Sequence, residues 1–260
     1  MCETIANIKY KKNFLKNVIF RIDFSPILII KKEISSEFQE KIRADLPELE
    51  ENKSIILTTN VVKNKDTGQV QRFEENEISK TWNFLSKDRN RKVICNHEYL
   101  AIEFYEYLHF EDYIQFVEKV YTSFLNIYKP LEIKRLGLRY INNILIKEGN
   151  PFDFRELISP ILTSFVDNFF DNKDDFSRVL SRVNLNKDDF KIIFTFGWYN
   201  TDFPEKISRK EFLLDYDCFT ENIEEKEVVD LVKKFRQQIK LYFEKSIDDG
   251  LRKLMEVSYE

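Results

Sequence analysis

The stretch Arg135-Leu-Gly-Leu-Arg-Tyr-Ile-Asn142 carries the clearest strand pattern in this sequence. Successive side chains of a β-strand point to opposite faces of a sheet, so residues of the same parity share a face. One face of this stretch is apolar, and the other carries two arginines separated by a glycine, namely Arg135, Gly137 and Arg139. The pattern predicts a strand with a buried apolar face and a cationic opposite face.

The chain before this strand predicts a strand, a helix, three or four antiparallel strands and a long helix. The long helix has the firmest pattern, because apolar residues recur at intervals of three and four until Pro130 ends it. A turn is predicted at 65–68. The predicted elements are strand 18–24 with 27–30 as a continuation past a bulge, helix 35–46, strands 54–63, 71–86 and 93–107, and helix 110–129.

The chain after residue 130 repeats this order of elements. It predicts strand 132–147, a helical segment 152–170 that Pro160 splits, strands 177–185, 191–199 and 211–219, and helix 226–255. We therefore predict an α+β fold of two tandem β-α-β(3–4)-α units, residues 1–130 and 131–260, within one continuous globular domain. Each unit would form a curved antiparallel sheet backed by its long helix, as in TATA-binding-protein-like and helix-grip folds.

The strand quoted first also resembles part of a known family. It is similar to a segment of a sporadically distributed family of uncharacterised bacterial and archaeal proteins of about 260 residues. That family has similar segments at three other places in this chain. They are the early strand before Pro26, the Leu213-Leu-Asp-Tyr-Asp-Cys-Phe219 strand and the closing helix. The family has no assigned function. Its patchy distribution implies mobile or antiviral-defence gene neighbourhoods, and the resemblance implies no site residues.

The composition excludes several kinds of chemistry. The 5 glycines are far apart, so the chain has no glycine-rich phosphate-binding loop, and 2 histidines cannot build a multi-histidine metal centre. We therefore expect no cofactor and no catalytic residues, and the lack of these motifs favours a non-enzymatic protein. Gly137 and Gly197 lie inside predicted strands, where glycine often marks a bulge or a close approach of another backbone.

Charge and cysteine content indicate the expected compartment. The 3 cysteines are widely spaced, no long apolar run is present, and the formal net charge is −4. These features predict a soluble cytoplasmic protein without a disulfide framework and without a membrane partner. The negative net charge also argues against a protein that coats DNA.

Two groups of basic residues are candidate binding sites for an anion or a nucleic acid. Arg135 and Arg139 share a strand face, and Arg21 lies on the corresponding strand of the first predicted unit. The alternative is that these arginines pair with neighbouring aspartates or glutamates. The second group lies on the predicted hairpin tip at 87–92, where Lys87, Arg89 and Arg91 could contact phosphates or could simply be solvated.

Two further arrangements are weaker candidates. Asp215 and Asp217 share a face of a predicted strand and, with Asp23 or Glu103, could bind Mg²⁺ as in phosphoryl-transfer enzymes. The alternative is that they face cations. Cys95 and His97 lie two residues apart, yet no orienting third group accompanies them.

These patterns lead to several functional hypotheses. The leading one is a non-enzymatic binding or adaptor subunit that acts with a partner protein, in the setting of an antiviral-defence system. A nucleic-acid-binding protein that uses the two basic groups is the alternative, and a metal-dependent nuclease is less favoured. A small-ligand pocket between helix and sheet is a further option.

Overall fold

The computed structural model describes residues 8–63, 70–107 and 109–259. The turn predicted at 65–68 lies outside these residues. Within them, the chain forms a mixed α+β fold with one large antiparallel sheet of nine strands and a separate two-stranded ribbon. The α+β class predicted from the sequence is therefore confirmed.

The strands run in chain order from β1 to β11. Their bounds are β1 Ile8–Tyr10, β2 Leu15–Phe24, β3 Glu48–Lys63, β4 Val70–Leu85, β5 Arg91–Cys95, β6 Tyr99–Phe104, β7 Ile133–Ile146, β8 Val179–Asn186, β9 Lys191–Trp198, β10 Lys210–Ile223 and β11 Val257–Tyr259. The large sheet has the order β3-β4-β5-β6-β2-β7-β10-β9-β8, and β1 pairs with β11 in the ribbon. Strands β2 and β7 are thus the central pair, where the two halves of the chain meet.

Five α-helices accompany the sheet in the described part of the chain. Their bounds are α1 Ser36–Ile42, α2 Phe110–Tyr128, α3 Pro160–Phe169, α4 Val228–Ser246 and α5 Asp249–Leu254. Helix α1 begins at Ser35, whose side chain accepts a hydrogen bond from the Phe38 backbone N–H at 3.4 Å, as an N-cap serine does.

The hydrophobic core lies between the helices and one face of the sheet. Every second residue of the central strands is buried on that face, for example Phe20 on β2 and Leu138 on β7. Helix α2 covers the first half, where Phe124 packs on Phe24. Helix α4 covers the second half through contacts with β7 and β10. No helix of the described residues is long and apolar enough to cross a membrane.

Four element predictions are wrong in part. Residues 93–107 form the hairpin β5–β6 and not one strand, because the Asn96 side chain accepts hydrogen bonds from the backbone N–H groups of Glu98 and Tyr99 and turns the chain. Residues 27–30 fall largely in a short 3₁₀ helix, Leu28–Lys31. Only α3 is helical within 152–170, and the final helix breaks after Ser246 before α5.

Candidate functional site

The sheet face opposite the helices brings together three of the six predicted basic residues. Strand register places Arg21 beside Gly137 and Arg139 beside Asp217, so neighbouring strands present Arg21, Arg135 and Arg139 on one surface. Strands β5, β6, β2, β7 and β10 line a depression of about 480 Å³ around these side chains. We call this depression the arginine–aspartate groove.

Gly137 determines how Arg135 lies in the groove. The Arg135 side chain crosses Gly137, so that a Cβ atom at residue 137 would lie 2.6 Å from Arg135 Nη1. Its guanidinium then donates to both carboxylate oxygens of Asp217 at 3.1 and 3.3 Å and lies 4.6 Å from the ring centroid of Phe219. The glycine between two arginines therefore makes room for an ion pair across two strands.

The other two arginines are also paired. Arg139 donates two hydrogen bonds to Asp215, at 2.8 and 2.6 Å, and these bonds raise the pKa of the Arg139 guanidinium. Arg21 donates to Asp23 at 2.9 and 2.5 Å and lies 4.1 Å from the ring centroid of Tyr99. Each arginine thus has an aspartate partner, Arg135 also lies 3.9 Å from Asp23, and Glu103 adds a further carboxylate to the groove.

The groove contains one carboxyl whose ionisation is disfavoured. Burial raises the pKa of Asp217 above its ordinary value, although Arg135 and Arg139 favour the charged form. An aspartate side chain ionises at about pH 4 in the unfolded chain, and Asp217 ionises at a higher pH in the folded protein. Between these two pH values the carboxyl is ionised mainly in the unfolded chain, and this lowers the free energy of the unfolded state relative to the folded state. Ionised Asp217 therefore lowers the free energy of unfolding at neutral pH.

We expect Asp217→Asn to have a higher urea midpoint than the wild type at pH 7. The difference should shrink as pH falls through the folded pKa toward about pH 4, where both side chains are neutral. Urea unfolding at a series of pH values measures this. The matched control is Asp215→Asn, which weakens the paired hydrogen bonds from Arg139 and should lose about 1 kcal/mol. A destabilised Asp217→Asn at pH 7 would contradict the assignment.

The predicted hairpin tip does not join the groove. Arg89 donates to Glu48 and Glu50 at 2.9 and 3.0 Å. Arg91 lies on the helix-covered face, with its guanidinium carbon 5.2 Å from the ring centroid of Phe104. Lys87 is exposed in the turn. The structure therefore places the two predicted basic groups on separate parts of the molecule.

The described residues offer little for metal or thiol chemistry. They contain no group of three or more histidine, cysteine, aspartate or glutamate side chains arranged to hold a metal ion. Asp215 and Asp217 share a face as predicted, but each accepts hydrogen bonds from a different arginine. Cys95 is fully buried, and burial raises the pKa of its thiol, so a reactive thiolate is disfavoured.

A second surface, on α3, was not predicted. Three large apolar side chains at a spacing of four residues point outward: Ile161 is 79%, Phe165 58% and Phe169 71% exposed. We call these three residues the apolar stripe. The spacing is visible in the sequence, but Leu162 and Val166 form an adjacent apolar row, so the pattern alone does not tell which side of the helix faces the core.

The two phenylalanines of the apolar stripe join a chain of ring contacts. The rings of Phe165 and Phe169 stack with centroids 5.5 Å apart, and Phe169 packs on Phe170 at 5.0 Å. Phe170 packs on Phe176 at 4.9 Å, and Phe176 packs against the core. The ring contacts therefore connect Phe165 and Phe169 to the interior.

Asp167 of α3 pairs with Lys173. At about 100° per residue, Asp167 lies on a different side of the helix from the apolar stripe.

Comparison with known proteins finds no family model and no curated protein sequence that matches this chain.

Proposed function

We propose that this protein is a non-enzymatic binding protein, an adaptor subunit that docks a partner protein through the apolar stripe of α3. The observation that carries the proposal is the exposure of Ile161, Phe165 and Phe169 on a ten-residue helix. Large apolar side chains exposed together mark interaction surfaces, and aromatic residues such as phenylalanine are enriched at protein-protein interfaces.

The partner that suits this surface is a protein with an apolar groove. Apolar side chains that recur along one side of a helix, for example at positions i and i+4, are the anchors of the helix-in-groove mode of recognition.

A quantitative pull-down from the native host tests this proposal. We expect at least one protein to be recovered with the wild-type bait and to fall by about tenfold or more with the Phe165→Ser/Phe169→Ser variant, because hot-spot truncation has effects of this size. The matched control is Leu28→Ser/Ile29→Ser, since these side chains are also exposed, at 68% and 56%, on a different element.

Two results would overturn the proposal. One is recovery of every protein equally by the wild-type and stripe-variant baits, with circular dichroism showing that both are folded. The other is a wild-type dimer that the stripe variant converts to a monomer in light scattering, which would assign the stripe to self-association.

The alternative of nucleic-acid binding has weaker support. The three arginines of the arginine–aspartate groove would have to leave Asp23, Asp215 and Asp217 to contact phosphates. A metal-dependent nuclease would need the same aspartates free of arginine. A gel shift at low salt distinguishes these functions from the adaptor, because phosphate contacts give binding that weakens steeply with added salt.

The tandem-unit architecture remains part of the proposal. Within the large sheet, β2 and β7 are the first strands of the two halves and pair with each other, and β6 and β10, the last strands of the two halves in that sheet, flank them. This order supports two β-α-β(3–4)-α units of the TATA-binding-protein-like or helix-grip-like kind. The family resemblance supports a setting in antiviral defence, where a neighbouring gene would encode the partner.

A further inference from the structure

The two edge strands of the large sheet differ in charge. The sheet ends in β3 on one side and in β8 on the other. Strand β3 carries four charged residues within its first six, Glu48, Glu50, Glu51 and Lys53. Natural proteins use charged side chains on an edge strand to prevent it from pairing with another chain. Strand β8 has a single charged residue, Arg182, among its eight. The β3 edge is therefore protected against pairing and the β8 edge is not.

The outer side of β8 has no backbone partner in the described part of the chain. The strand pairs with β9 along all 8 of its residues. Its other side makes no backbone hydrogen bond to any described residue. None of the 8 residues is buried, and Leu180 and Val183 are each 41% exposed. An edge strand with exposed apolar side chains and little charge is a template on which another strand can pair.

The strand that suits this edge is β8 of a second copy of the chain. Pairing of β8 with β3 of another copy would continue from copy to copy into a ring or a filament, and it would place the charges of β3 in the interface. Pairing of β8 with β8 is closed after two copies that are related by a two-fold axis. It also leaves the protected β3 edges facing outward.

The side chains of β8 favour one antiparallel register for such a dimer. The two-fold axis is perpendicular to the joined sheet, so both copies have the same sheet face on the same side, and residues opposite each other have the same parity. The two longest registers of this kind are centred at Arg182 and at Val183. A centre at Arg182 places two arginines opposite each other, which is destabilising. A centre at Val183 pairs residues 180–186 of the two copies, with valine opposite valine and Arg182 opposite Asn184.

We propose that β8 pairs antiparallel with β8 of a second copy of this chain, with Val183 at the two-fold axis, so that the two large sheets join edge to edge. One strand pair is a small interface, so the dimer is reversible, with a Kd on the order of 10 μM. This inference does not depend on the docking function of the apolar stripe.

Sedimentation velocity of the full chain tests the dimer. We expect the wild type to change from monomer to dimer between about 1 and 100 μM. The Phe165→Ser/Phe169→Ser variant should dimerise in the same way, which separates this inference from the function of the stripe. A wild type that is monomeric at about 200 μM, or that forms species larger than a dimer, would overturn the proposal. Loss of the dimer in the stripe variant would assign the dimer to the stripe and would also overturn it.

A charge at the two-fold axis should abolish the dimer. We expect Val183→Lys to be monomeric at about 100 μM, because two ammonium groups would then face each other. The matched control is Leu49→Lys, the same kind of change at a leucine that is 37% exposed on the other edge strand, β3. It should dimerise as the wild type does. A folded Val183→Lys variant that still dimerises would contradict the assignment.

Charge reversal tests the register. Val183→Glu should also be monomeric, because two carboxylates would face each other. An equimolar mixture of Val183→Lys and Val183→Glu should form a heterodimer, since opposite charges then meet at the axis. A mixture of the two folded variants that stays monomeric would contradict the register.

Hydrogen exchange of the wild type tests the pairing without any substitution. The outward amide groups of 180–186 should exchange about fourfold more slowly at about 100 μM than at about 1 μM, because a Kd of about 10 μM reduces the fraction of unpaired β8 by that factor. Exchange in β3 should not change with concentration. Exchange in β8 that is equal at the two concentrations would overturn the proposal even if the variants are misfolded.

Discussion

The Gly197→Ala variant is expected to lose about 3 kcal/mol of unfolding free energy. Gly197 lies in β9 with φ 135°, a conformation that alanine rarely adopts. A Cβ atom there would also lie 2.2 Å from the Val179 carbonyl oxygen of the neighbouring strand. Because that neighbour is backbone of β8, relief of the clash would require the strand pair to separate. Urea unfolding followed by circular dichroism measures the loss.

The matched control is Gly137→Ala, the same change in another strand of the same sheet. Here the nearest atom to the added Cβ is Arg135 Nη1, the far end of a flexible side chain, and φ is not positive. Arg135 can swing away at the expense of its ion pair with Asp217. We expect a loss of less than about 1 kcal/mol. Equal losses of unfolding free energy in the two variants would show that contact with the β8 backbone is not the reason why residue 197 is a glycine.

The Arg252→Met variant is expected to lose about 3 kcal/mol, because it leaves a buried carboxylate without its cation. The Glu244 side chain is only 4% exposed and that of Arg252 20%. Arg252 also donates to the Glu244 backbone carbonyl at 2.6 Å, which joins α5 to the end of α4. Burial raises the pKa of Tyr10, so its hydroxyl stays protonated and continues to donate to Glu244. It does not replace the lost charge.

A double-mutant cycle separates the ion pair from other losses. In the Glu244→Gln background the further change Arg252→Met should be less destabilising by about 2 kcal/mol than in the wild type, because no carboxylate remains to be left unpaired. Urea unfolding of the four proteins gives the coupling energy. Additive effects of the two changes would mean that Arg252 stabilises the chain mainly through packing and its backbone hydrogen bond.

Part of the candidate site follows from strand parity. The alternation of Arg135, Gly137 and Arg139 predicts that two guanidinium groups share a face, and the same rule places Asp215 and Asp217 together. Pairing between these sets depends on which strands are neighbours and in what register, which a local pattern does not contain. In the register of β7 and β10, Arg139 lies directly beside Asp217. The ion pairs follow a different pattern. Arg139 pairs with Asp215, and Arg135 reaches Asp217 across Gly137.

Local chemistry can also override a hydrophobic pattern. The apolar residues over 93–107 continue the strand alternation, but Asn96 turns the chain by hydrogen bonds within three residues. The apolar stripe shows a different limit. Ile161 and Phe165 resemble core residues in the sequence, and only the packing of α3 leaves them exposed.

The sequence by itself determined the α+β class, most strands, the long amphipathic α2 helix and the grouping of charged residues on strand faces. Periodicity carries these features because each depends on residues two to four positions apart. The tertiary structure decided the strand order, the ion pairs of the arginine–aspartate groove and the exposure of the apolar stripe. Each of these features depends on contacts between residues that are far apart in the chain. Those contacts decide whether a charged group has a partner and whether an apolar side chain is covered.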